Sequence, residues 1–213
     1  MMSPAVLSAA ALFGFVTSIT PGPNNMMLLT SGLNFGVRRT IPHMLGISVG
    51  YVILMFAVGF GLGEALRSWP GAFLALKLAG GAYMLWLAWQ IARSAPPADK
   101  EGRGEGEARS KAQGPRGPMT LLQAAAFQWV NPKAWVIVVT AVATYVSPDT
   151  LVRDLLLITL LCGLINLPSI GVWAVFGAAL RRFLADPGWR RVFNVTMAAL
   201  LVLSLWPLLV TRI

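Results

Sequence analysis

"TSITPGPNN", Thr17 to Asn25, interrupts an apolar run that extends from Pro4 to about Leu33. Pro21 and Pro23 have no N–H to give the carbonyls four residues earlier, Thr17 and Ile19, so both acceptors lose their helical partners. In hydrocarbon each orphaned group costs several kcal/mol, so this backbone must face protein or a wet cavity. The surroundings show why that argument applies.

The chain of 213 residues is 56% hydrophobic and 12% charged, against roughly 25% charge in an average soluble domain. Apolar runs lie at roughly 5–33, 41–63, 71–92, 120–146, 151–180 and 192–211, each long enough to cross a hydrocarbon core of about 30 Å. No stretch is left for a soluble domain. The net charge of +9 is neither on one amphipathic face nor interleaved with aromatics, so it does not indicate nucleic acid. Twelve Lys and Arg fall between runs 1 and 2, 3 and 4, and 5 and 6, whereas the opposite loops and the C-terminus hold Arg67, Arg153 and Arg212. That asymmetry puts the odd-numbered loops in the cytoplasm and both termini outside, which requires six crossings. The N-terminus has no basic residue ahead of its apolar run and no short segment with a cleavage site, so helix 1 is expected to stay.

Residues 94–118, "SAPPADKEGRGEGEARSKAQGPRGP", carry Gly, Pro and mixed charge without an aromatic or large aliphatic side chain, and read as a mobile cytoplasmic linker. The linker divides one membrane domain into halves, 1–93 and 119–213. Three crossings per half invert the second relative to the first, the arrangement of an inverted repeat. "SITPGP" and "WVNPKA" sit at corresponding places in the two halves, and "GEALRSW" closes helix 2 much as "GAALRRF" closes helix 5. The expected fold is all-α: six transmembrane helices in two inverted three-helix repeats, with helices 1, 4 and 5 broken.

The breaks in helices 4 and 5 follow the same rule: Pro132 frees the carbonyl of Gln128, and Pro168 that of Leu164, with Asn166 nearby. Thr17, Thr20 and Asn24 recur at i, i+3 and i+7, and Gln128 and Asn131 at i, i+3. Thr20-Pro21 and Asn131-Pro132 have the N-cap and proline-at-N1 order that starts a fresh half-helix. Such starts offer free N–H groups and the positive dipole end to a carboxylate. Lys133 adds a full charge beside one of them. Alternatively, Lys133 bonds the freed carbonyls of helix 1 or snorkels to the cytoplasmic interface, and a lone proline such as Pro207 is a simple kink.

Small residues at Ala10, Gly14, Ser18 and Gly22, and the pairs Gly46/Gly50 and Gly59/Gly63, let helices approach closely, within one chain or in a homo-oligomer. Cys162 reads as a packed residue, and His43 and Lys77 as interfacial. Tyr83 and the tryptophans Trp69, Trp86 and Trp89 read as belt or packing residues.

An intramembrane hydrolase needs a nucleophile with a base, paired aspartates or a metal cluster. Here there is one His, one Cys and no carboxylate away from the helix ends. The same poverty of ligands argues against a metal permease. No Gly-rich phosphate loop occurs, and no cofactor is called for.

"FVTSITPGPNN", "MLGISVG", "KLAGGAYMLWLAWQIA" and "FQWVNPKAW" resemble the LysE/RhtB family of bacterial amino-acid exporters over nearly the whole chain, apart from the linker. "TPGPNN" and "YMLWLAWQIA" are similar to the cysteine/O-acetylserine exporter subgroup. The resemblance implies six helices in the bacterial inner membrane, both termini periplasmic, and secondary-active efflux of amino acids or close derivatives driven by a proton or sodium gradient. Many members carry an aspartate after the second glycine of helix 2, where this chain has Tyr51. The expected substrate site comprises Thr17, Thr20, Pro21, Gly22, Pro23, Asn24, Asn25, Gln128, Asn131, Pro132, Lys133 and Asn166. A passive channel or ion permease for small solutes is the alternative.

Overall fold

The computed structural model describes residues 2–94, 117–184 and 186–206. Nearly all of the expected linker, the Lys77 side chain and Pro207 lie outside the described residues. Every regular element among those described is helical.

Three residues that precede a proline leave the helical region: Thr20 (φ −67°, ψ 146°), Gly22 (φ −179°, ψ 178°) and Asn131 (φ −84°, ψ 108°). The proline ring crowds the backbone before it and pushes that residue to extended geometry. Helix 1 is therefore two pieces, α1 (Pro4–Ile19) and α2 (Pro23–Phe35), bent by 54° at the break. Thr20 does not start the second piece, contrary to the Thr20-Pro21 reading: it closes α1, its N–H bonded to the Val16 carbonyl at 3.1 Å, and Gly22 is the N-cap of α2. A helix begun at Pro21 would break again at Gly22, because Pro23 constrains Gly22 as Pro21 constrains Thr20.

A single residue, Gly36 at φ 80°, turns the chain from α2 into α3 (Val37–Gly59). Gly61, at φ 100°, starts the short α4 (Leu62–Arg67), so "GEALRSW" forms a helix of its own rather than the end of helix 2. Next comes α5 (Pro70–Ala92). In the second half, Thr120 and Gln123 form a reciprocal capping box that starts α6 (Leu121–Phe127). The chain then breaks before α7 (Pro132–Tyr145), as the Asn131-Pro132 order requires.

Helix 5 is not broken. After a 3₁₀ turn at Pro148–Thr150, α8 (Leu151–Leu180) runs uninterrupted through Pro168. One missing hydrogen bond is a small loss for a helix anchored on both sides of the proline. Leu155, Ile158 and Cys162 are buried before it, and Ile170, Ala174 and Gly177 after it. Finally α9 (Pro187–Leu203) is capped by the Asp186 carboxylate, which places Arg190 and Arg191 inside a helix rather than in the preceding loop.

The long α8 packs against α1, α2 and α3; α3 also packs against α6 and α7, and α5 pairs with α9. The small residues are used within the chain. Gly50 faces the Ala125 backbone and the Gln128 side chain, Gly59 faces Leu155, and Gly14 faces Cys162. His43, expected at the interface, is instead 1% exposed. Val37–Gly59 and Pro148–Leu180 are long and apolar enough to cross a membrane, and the bent pair α1–α2 counts as a third if it is one span.

Candidate functional site

The carbonyls freed at the break in helix 1 all find donors. Thr17 O accepts from the Thr20 hydroxyl at 3.2 Å, and Ile19 O from the Trp173 indole at 3.0 Å. The Asn25 amide donates to Ser18 O and Thr20 O, both at 2.8 Å, and so straps the turn from the far side. The Lys133 ammonium reaches across from α7 to Thr20 O (2.7 Å), Thr20 Oγ1 (2.8 Å) and Pro21 O (3.2 Å). An ammonium has three N–H donors, and these three oxygens match them. Lys133 thus bonds helix 1, one of the arrangements its sequence position allowed.

The two breaks face each other. Asn131 caps α7 through Oδ1, which accepts from the Lys133 backbone N–H at 3.1 Å. At the start of α2 no side chain takes that role. The Asn24 and Gln128 amides bond reciprocally, Nδ2 to Oε1 at 2.8 Å and Nε2 to Oδ1 at 3.2 Å. Asn166 belongs to the same group although its helix is unbroken: its Nδ2 donates to Ser18 Oγ at 3.0 Å, and its Oδ1 accepts from Ser48 Oγ at 3.1 Å. Polar side chains from α1, α2, α3, α7 and α8, with Gln128 at the end of α6, thus meet at one place.

Of the twelve expected site residues, Thr17, Gly22, Asn24, Asn25, Gln128, Asn131, Lys133 and Asn166 line a common cavity. Thr20 and Pro21 contribute the oxygens that hold Lys133, while Pro23 and Pro132 are the first residues of their half-helices. The cavity is about 30 Å³, room for a water molecule but not for an amino acid. Asn25 Oδ1 is buried with no partner among the described residues.

Ser18, Ser48 and Trp173 also belong here and were not read from the sequence. Ser18 lies in the row of small residues that signals helix packing. Trp173, inside an apolar helix, carries no local sign that its indole will find a carbonyl so far away in sequence. Tyr51 lines the cavity as well and packs in one buried cluster with Cys162. Asp154, in the first turn of α8, is held by Arg153 (2.9 Å) and the Thr150 hydroxyl (2.6 Å), away from this cavity.

The family model for LysE type translocators matches residues 15–206. The cysteine/O-acetylserine efflux protein of Escherichia coli (strain K12) is 32% identical over 203 residues, covering 94% of this chain and 96% of that protein. The protein of the same name from Shigella sonnei (strain Ss046) matches to the same extent. No solved structure matches the chain. With the match spanning both proline breaks, the chain belongs to the LysE family of translocators, and is a membrane transporter rather than an enzyme.

Proposed function

We propose that this protein exports small amino acids, cysteine and O-acetylserine first among them, across the bacterial inner membrane by alternating access, driven by a proton or sodium gradient. The observation that carries the reading is the Lys133 ammonium held on Thr20 and Pro21 oxygens at the break in helix 1. A substrate carboxylate that enters beside the uncapped start of α2 competes with those neutral oxygens for the ammonium, and a charged acceptor is the stronger partner. Asn25 Oδ1, buried and unpartnered among the described residues, is available to the substrate's ammonium. The carbonyls of Thr17 and Ile19 are already engaged. A cavity of about 30 Å³ corresponds to the closed middle of the cycle, so binding requires the helices around it to move apart.

In this reading residues 1–93 and 119–213 are inverted halves of six crossings, joined by a cytoplasmic linker at 94–118, with both termini periplasmic. The packing supports it. Exchanging the halves pairs α1–α2 with α6–α7, α3 with α8, and α5 with α9. Under that exchange, the contact of α1–α2 with α8 becomes the contact of α6–α7 with α3, and both are extensive.

The test is proteoliposomes loaded with a panel of amino acids under imposed proton or sodium gradients. Saturable, gradient-dependent loss of cysteine, O-acetylserine and a few others of their size is the expected result. Gradient-independent leak of every solute overturns the exporter in favour of a passive channel.

A further inference from the structure

A second cavity, of about 330 Å³, opens between α2, α3, α5 and α6. Its described lining includes Thr30, Ser31, His43, Tyr83, Gln90 and Gln123, and no carboxylate, lysine or arginine. His43 is 1% exposed, yet neither ring nitrogen has a partner among the described residues, and Thr30 Oγ1 is in the same position. Buried polar groups are nearly always bonded to protein or water. Both ring nitrogens and Thr30 Oγ1 are also shielded from the cavity, so they gain partners only as α2, α3 and α6 part and water reaches them.

The two cavities share their walls. On α3, His43 in this cavity precedes Ile47 and Tyr51 of the central one by one and two turns. On α2, Asn24 lines the central cavity and Met27 and Thr30 this one; after α6, Gln128 lines the central cavity, and within α6 Gln123 lines this one. Apolar side chains lie between, with Leu28, Ile47 and Ala124 in one cluster and Met27 and Phe127 in another.

We propose that this second cavity is a hydrated proton vestibule, and that His43 is the site at which the coupling proton binds. The proposal rests on the exporter reading above and gives it a named coupling ion. The central cavity has no carboxylate in its described lining, and its lysine is held by three oxygens. Histidine is the side chain whose ordinary pKa lets it change charge near neutral pH. Around the same cavity α2 contributes Thr30 and Ser31, α5 contributes Tyr83 and Gln90, and α6 contributes Gln123; the Tyr83 phenol is the other titratable group of the described lining. Arg39, one turn before His43 on α3, is exposed and lies 5.7 Å from the Phe35 ring. The imidazole takes a proton from hydronium, leaving water, and returns it to water in the other half of the cycle. An imidazolium among uncharged walls favours the arrangement in which this cavity is wet, whereas a neutral ring permits closure. Proton occupancy thereby biases which end of the path α2, α3 and α6 leave open.

The test compares wild type with His43→Gln in proteoliposomes, using sulfur-labelled cysteine kept reduced. His43→Gln is expected to exchange cysteine across the bilayer within about twofold of wild type. It is expected neither to concentrate cysteine under an imposed pH gradient nor to move protons when cysteine is added. Concentration and proton movement at wild-type levels overturn the proposal, as does a wild type driven by sodium alone. A wild type that exchanges no amino acid of the panel instead overturns the exporter reading beneath it. Because the chain has one histidine, nitrogen-15 histidine labelling reports on His43 in the unaltered protein. Its ring signals are expected to change when the pH is lowered and to shift when cysteine is added; signals that respond to neither also overturn the proposal.

Discussion

Gly22 and Lys133 are in direct contact: a Cβ built on Gly22 would lie 2.6 Å from Lys133 Cδ and 3.1 Å from its Nζ. The bare glycine backbone is what allows the lysine stem to lie across the break and reach the Thr20 and Pro21 oxygens. Gly22 is extended rather than left-handed, so the requirement is one of space and not of backbone conformation.

Gly22→Ala is therefore expected to displace the ammonium and reduce saturable cysteine efflux at least about tenfold, a loss of roughly 1.4 kcal/mol in binding or barrier. Gly81→Ala serves as the control, because a Cβ there meets no described atom within 4 Å. It should transport normally and melt slightly higher, alanine being favoured over glycine within a helix by about 0.5–1 kcal/mol. Equal transport by the two variants would show that Lys133 need not reach helix 1.

Lys133→Ala and Asn24→Ala are expected to abolish saturable efflux while leaving the protein inserted in the membrane at normal levels. Lys133→Arg should also fail, since a planar, wider guanidinium cannot occupy the space above Gly22 that the lysine stem fills. Efflux assays alongside quantification in isolated membranes distinguish lost transport from lost protein. Normal transport by Lys133→Ala removes this residue from the substrate site.

The reciprocal bonds between Asn24 and Gln128 tie α2 to the end of α6. Removing either partner leaves the other short of its bonds, so Asn24→Ala and Gln128→Ala should each lower stability by about 1–3 kcal/mol. The double variant should be barely worse than either single one. Thermal unfolding in detergent measures the cycle, and additive losses would mean that the two amides act independently.

Trp173→Phe keeps the ring packing but removes the donor to Ile19 O. The carbonyl freed by Pro23 then has lost its indole partner, and a loss of about 1–3 kcal/mol in stability is expected. A melting temperature unchanged from wild type would show that water replaces the indole at no cost.

Pro168→Ala tests the continuity of α8. Since the helix already runs through this position, alanine restores an N–H where the Leu164 carbonyl lacks one, and transport should be retained with unchanged or higher stability. Abolished transport would return Pro168 to the list of working breaks.

Local rules made much of this protein legible in advance. The extended geometry at Thr20, Gly22 and Asn131 follows from the proline next in the chain, and the cap at Asn131 from its place directly before Pro132. Apolar length and the prolines, with the Thr, Gly, Asn, Gln and Lys around them, identified eight of the cavity's lining residues. Other features depended on partners that no local window contains. Lys133 and Thr20 are 113 positions apart, and Trp173 and Ile19 are 154; only the packing of α7 and α8 against α1 brings each donor to its carbonyl. The same holds for Pro168, where burial on both sides outweighs one missing bond, and for His43, whose place beside a cavity is decided by α2, α5 and α6 closing around it. Backbone geometry is settled by neighbours along the chain, whereas the satisfaction of each freed polar group is settled by whichever helix packs over it.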